Sequence, residues 1–103
     1  MDTIERMKYA IEQTREFEEW HQSLDKAVRV VVARRMEQAS HGLFGDVKYN
    51  VGERVSEMRI HIGAGYRLFF TVRNKSIIFM LCGSSKKNQQ SEISRAEKIE
   101  KES

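Results

Sequence analysis

The hydrophobic period of this chain changes from about 3.6 to 2 partway along, and that change sets the class of fold. From Leu24 the apolar positions 24, 27, 28, 31, 32, 36 and 39 recur at spacings of three and four, which lays one stripe along a helix of about four turns. In Val55-Ser56-Glu57-Met58-Arg59-Ile60-His61-Ile62 the pattern alternates. Met58, Ile60 and Ile62 point one way and Glu57, Arg59 and His61 the other, as on a half-buried strand. Gly63-Ala64-Gly65 supplies a tight turn into a second strand, Tyr66 to Arg73. Asn74-Lys75 turns the chain again into Ser76 to Cys82, a nearly continuous apolar run that suits a central strand covered on both faces.

The flanks follow the same rules. Residues 8–13 alternate as a short strand, with Tyr9 and Ile11 on one side, a helix running from Thr3 being the alternative at this length. Thr14 is placed to cap a helix whose first turn holds Glu16 and whose Phe17 and Trp20 share a face. Ser23 offers a cap for the long helix, and Gly42 a left-handed stop after it. Residues 43–54 read as a loop, and so does Gly83 to Lys87. From Gln89 onward a helix places Ile93, Ala96 and Ile99 on one face. The order strand, helix, helix, three-stranded meander, helix predicts an α+β fold, a small antiparallel sheet packed by two N-terminal helices plus a C-terminal helix. Two helices are expected on one sheet face, with the other face partly open. At 103 residues the chain forms one domain, 1–103, because two cores would each be too small.

Several function classes drop out. A single cysteine excludes a disulfide framework and a four-cysteine zinc site, and Cys82 inside an apolar strand reads as an inert small hydrophobe. His21, His41 and His61 have no metal-ligand spacing, so neither a metal nor another cofactor is expected. Gly63-Ala64-Gly65 precedes a strand, not a helix, and is no phosphate cradle. No apolar run reaches the ~18 residues that span a bilayer. The N-terminus lacks a basic start followed by an apolar segment, so a cytoplasmic protein with no membrane contact is expected.

Charge is more informative by position than in total. The net +3 resolves into slightly acidic ends and a middle, residues 45–90, with eight basic against three acidic side chains. Such a localised positive field suits a phosphate-bearing partner. If the apolar sets of the two strands face the helices, then Arg59, His61 and Arg67 share the other surface, with Arg73 further along the same face. Lys86 and Lys87 leave the adjacent strand nearby. Cations around an imidazole can grip a phosphodiester and stabilise the extra charge of a pentacoordinate phosphorus. Taken singly, each of these residues is as well explained by cross-strand pairing or by solvation.

Phe44 to Ile99 also resembles a known family. Gly45-Asp46-Val47-Lys48, Val55 to His61, Gly63-Ala64-Gly65-Tyr66-Arg67-Leu68-Phe69-Phe70, Leu81-Cys82-Gly83 and Lys87-Asn88-Gln89-Gln90 follow one another as in phage-derived addiction module killer toxins of the RelE/HigB superfamily. Thr14-Arg15-Glu16-Phe17-Glu18-Glu19-Trp20 is similar to their first helix, which extends the likeness over about residues 9–99. The resemblance implies a RelE/ParE-like fold and the toxin of a type II toxin–antitoxin system. It further implies binding to the ribosome and cleavage of mRNA there, by attack of the ribose 2′-hydroxyl on the adjacent phosphate without a metal. Arg59 and Arg67 match arginines that hold the scissile phosphate. Lys48 matches a basic position in the loop before the sheet, and Lys86 or Lys87 the one after the last core strand. A cognate antitoxin, for this subgroup often a helix-turn-helix protein, is the implied partner.

One departure has chemical weight. Relatives place a Tyr or His in the C-terminal segment, but residues 83–103 contain neither. Either His61 moves the proton, or the arginines and lysines act with ribosomal RNA, or nuclease activity is lost. The alternatives to a nuclease are a ParE-like gyrase-directed toxin and a non-catalytic RNA-binding module.

Overall fold

The computed structural model describes residues 9–85 and 89–103. Its elements are β1 (Ala10–Gln13), α1 (Arg15–Gln22), α2 (Lys26–Ser40), β2 (Val47–Gly52), β3 (Val55–Ile60), β4 (Tyr66–Arg73), β5 (Ile77–Ser85) and α3 (Gln89–Glu102). The five strands form one sheet in the order β1-β5-β4-β3-β2. Strands β2 to β5 are a meander of antiparallel neighbours, whereas β1 runs parallel to β5, with Ala10 opposite Ile77. The sheet is therefore mixed, which corrects the expected antiparallel one. A local alternation identifies a strand but carries no information about a partner 67 residues away.

Two cores lie on opposite faces of the sheet. On the first, Met58, Ile60, Leu68, Phe70, Ile78 and Met80 pack with Phe17 of α1 and with Val28, Val32 and Ala39 of α2. Tyr9, Trp20 and Phe44 close its margin. On the second, Val55, Phe69, Leu81 and Cys82 meet Ile93 and Ala96 of α3. The face expected to be open is thus covered by α3. The stripe 93, 96, 99 was legible as apolar, but its destination depends on the bulge in β5. Phe69 pairs with Cys82 and Phe70 with Met80, which leaves Leu81 over and puts it with Cys82 against α3.

Local chemistry accounts for the element ends. The Thr14 hydroxyl accepts the Phe17 N–H at 2.9 Å and donates to the Leu81 carbonyl at 2.7 Å, so one side chain caps α1 and ties it to β5. Ser23 does not cap α2. It ends α1, its hydroxyl bonded to the Trp20 carbonyl, and Asp25 stands at the start of α2. Gly42 stops α2 at φ +87°, as expected of a residue without a Cβ. Two segments expected to be loops are strands. Residues 47–52 pair with β3, and Gly83 to Ser85 extend β5. A Cβ at Gly83 would run into the Trp20 ring, so glycine is needed here for the close approach of α1, not for a turn. No helix among the described residues is long and apolar enough to cross a membrane.

Candidate active site

Arg59 and Arg67 are direct cross-strand partners in the β3–β4 ladder and point to the α3 face. Like charges placed opposite each other destabilise a sheet, so this pair needs a counter-charge, and Glu57 supplies it. Two residues back along β3, Glu57 is fully buried and accepts from Arg59 Nε at 2.8 Å, with Arg67 Nε at 3.9 Å from the same oxygen. Its other oxygen accepts from Gln89 Nε2 at 3.0 Å. The bond to Glu57 raises the Arg59 pKa further above its ordinary value. Arg67 has a second anionic neighbour, Glu92 of α3, at 3.4 Å, and Glu92 also accepts from Ser84 Oγ at 2.7 Å. The two arginine side chains consequently differ in access, 37% exposed for Arg59 and 12% for Arg67.

The sequence reading brought these two arginines together correctly. It placed them on an open surface, and that is corrected. The first turn of α3 stands over Arg67, and among the described residues the arginines are reached from the rim toward the β3–β4 turn. There Arg59, His61, Tyr66, Arg67 and the glycines of the turn line a cleft of about 420 Å³. His61, just past the end of β3, is 73% exposed, and its Nε2 lies 2.5 Å from Asp46 Oδ2. That bond, together with the charges of His61, Arg59 and Arg35, holds the Asp46 carboxyl below the usual carboxylate range against slight desolvation.

The remaining predicted residues divide. Lys48 lies opposite Glu57 in the ladder, on the arginine face and exposed. Arg73 is at the far end of β4, where its guanidinium sits 4.4 Å above the Phe79 ring and 3.4 Å from Glu100. It lines a separate groove of about 640 Å³ with Tyr49, Asn50 and Arg54, and the structure does not bring it to the others. Lys86 and Lys87 lie outside the described residues. The buried Cys82 thiol has its pKa pushed up to about 12 by desolvation, which leaves it inert as expected. No group of His, Cys, Asp or Glu among the described residues is arranged to hold a metal.

Two site residues escaped the sequence reading. Tyr66 alternates with Arg67 and so falls on the apolar side of β4, where it packs on the first core while also forming part of the cleft wall. Asp46 sits in a Gly-Asp dipeptide indistinguishable from an ordinary turn. The signal for Asp46 lay elsewhere, in Arg35, which falls on the core stripe of α2 three residues after Val32 and four before Ala39.

Comparison with known proteins agrees with this architecture. A Haemophilus influenzae protein described as uncharacterized is 30% identical over 97 residues, covering 93% of this chain and 97% of its own. Among solved structures, a mutant of the E. coli toxin RelE in the free state superposes with a TM-score of 0.71 at 18% identity, covering 89% of this chain and 97% of that one. The intact E. coli RelBE toxin–antitoxin complex matches at 0.62 and 14% identity over 78% of this chain and 99% of that one. At such identities the likeness is one of fold. Residues 19–103 match the model of the phage-derived Gp49-like proteins, and the chain belongs to that family.

Proposed function

We propose that this chain is the toxin of a toxin–antitoxin pair and acts as a ribosome-dependent endoribonuclease in the cytoplasm. The observation that carries the reading is the cross-strand pair Arg59–Arg67 sharing one cleft with His61. The RelE-like fold and the RelBE neighbour support it. In this reading Arg59 and Arg67 hold the scissile phosphate and neutralise the charge that grows on its oxygens. His61 takes the proton of the ribose 2′-hydroxyl. The 2′-oxygen bonds to phosphorus, the bond to the 5′-oxygen breaks, and that oxygen leaves with a proton from water. The products are a 2′,3′-cyclic phosphate and a 5′-hydroxyl, and no metal takes part. Lys48 extends the contact along the RNA backbone, with Lys86 and Lys87 as further cations. Arg73 is a peripheral contact at most, being matched by Glu100. The partner that silences the activity is a cognate antitoxin of the helix-turn-helix type.

Induced expression followed by primer extension on cellular mRNA tests this. Growth arrest with new 5′ ends inside translated regions, each carrying a free 5′-hydroxyl, is the expected result. Arrest with intact mRNA and broken DNA would instead identify a gyrase-directed toxin. RNA binding without cleavage would identify a non-catalytic module.

A further inference from the structure

Asp46 is fixed in place by a cation that reaches from α2 to the sheet edge. Arg35, near the C-terminal end of α2, turns its guanidinium to the sheet edge. It donates from Nη1 to the Arg59 carbonyl at 2.6 Å, and from Nη2 to the carbonyls of Phe44 at 2.9 Å and Asp46 at 3.2 Å. The Asp46 carbonyl also accepts the Arg59 N–H at 2.9 Å. Gly45, at φ +68°, lies against this guanidinium so closely that a Cβ would stand 3.0 Å from Nη2. Burial lowers the Arg35 pKa, opposed by Asp46, and its Nε meets no partner among the described residues. A cation drawn from water to three carbonyls is costly unless an anion stands near it, and Asp46 is that anion. The clamp holds the Asp46 backbone together with those of Phe44 and Arg59, and the Asp46 carboxylate is aimed at His61 Nε2.

We propose that Asp46 is a positioning residue for His61, and that Arg35 fixes Asp46. The inference rests on the nuclease reading above and deepens it. An ionised carboxylate only accepts, so Nε2 carries the hydrogen in the bond to Asp46, and Nδ1 keeps the lone pair that takes the 2′-hydroxyl proton. On proton transfer the imidazole becomes a cation, which the Asp46 charge stabilises. The imidazolium then returns the proton to water. The charges facing this pair are Arg35 from α2, Lys48 from β2, Arg59 and its partner Glu57 from β3, and Arg67 from β4. Asp46 is thus the anion set against His61 within a cationic surround.

The test compares Asp46→Asn, Asp46→Glu and His61→Ala with the parent in single-turnover cleavage of mRNA on translating ribosomes as a function of pH. Asp46→Asn should lower the cleavage rate about 10- to 100-fold with ribosome affinity unchanged. The acid limb of its rate–pH profile should move to lower pH, because the protonated imidazole has lost its counter-charge. Asp46→Glu should recover part of the rate. Carbon-13 NMR of the Asp46 carboxyl, which needs no activity, should show it titrating below an ordinary aspartate in the parent and higher in His61→Ala. Full activity and an unshifted profile in Asp46→Asn would overturn the proposal, as would an Asp46 titration unaffected by His61→Ala. A parent that contacts ribosomes without cleaving would overturn the nuclease reading, and with it any catalytic role for a pair the NMR still detects.

Discussion

The two ends of β4 solve the same electrostatic problem in different ways. At the Arg73 end, one arginine meets one glutamate, Glu100, and lies over the Phe79 ring, so its charge is matched. At the Arg67 end, two arginines face each other across the ladder and share the fully buried Glu57. Glu92, from the first turn of α3, completes the count there. Lys48 adds a cation on the same face. The first arrangement is a closed structural ion pair. The second is a cation pair that shares one buried counter-charge from its own sheet and draws another from a neighbouring helix. Sequence shows an arginine on the outward face in both places, and only the partners separate them.

That contrast can be broken by experiment. Replacing Arg59 and Arg67 together by alanine should abolish growth arrest and reduce cleavage at least about 1,000-fold, since a single donor to a developing oxyanion is worth roughly 100- to 1,000-fold. Arg73→Ala should change it less than about threefold. Equal losses at the two ends, read in the same ribosome cleavage assay, would erase the distinction. Because Glu57 would then lie buried without its cations, the paired lysine substitutions serve as the control that keeps charge and loses the planar fork.

A smaller effect concerns stability. Glu57→Ala leaves Arg59 without its anionic partner and Arg67 with Glu92 alone, and should cost about 3 kcal/mol in urea unfolding. Glu100→Ala strands one part-exposed arginine and should cost about 1 kcal/mol. Comparable values would mean that Glu57 is not the shared counter-charge. The smallest expected change is Phe79→Leu, which removes the ring beneath Arg73 at a cost of about 0.5 kcal/mol, with cleavage unaltered. A thermal melt alongside the cleavage assay checks both.

How much of this was legible in the sequence follows from the range of each interaction. The long helix, the β3–β4 hairpin, the apolar faces and the shared orientation of Arg59 and Arg67 come from periods of 3.6 and 2, which are local. β2 was not visible, because Lys48, Tyr49 and Asn50 are all exposed and the segment is a strand through its pairing with β3. The parallel seat of β1, the covering of the arginines by α3 and the Arg35 clamp are contacts between distant segments. Arg35 did leave a trace, as a charged residue on an apolar stripe. A reading that asked what such a residue must bond to would have pointed to the sheet edge, where Asp46 lies.

The seating of β1 at the sheet edge has a consequence for how the molecule comes into being. Its ladder partner is β5, and Thr14 just beyond it caps α1 while bonding to the Leu81 carbonyl, 67 residues later. Contacts of such separation form late, because the intervening chain must be closed into a loop first. During synthesis the first strand waits without a partner until the fifth has emerged, and α3 follows after that. A protein built this way completes its sheet only after the fifth strand has been made.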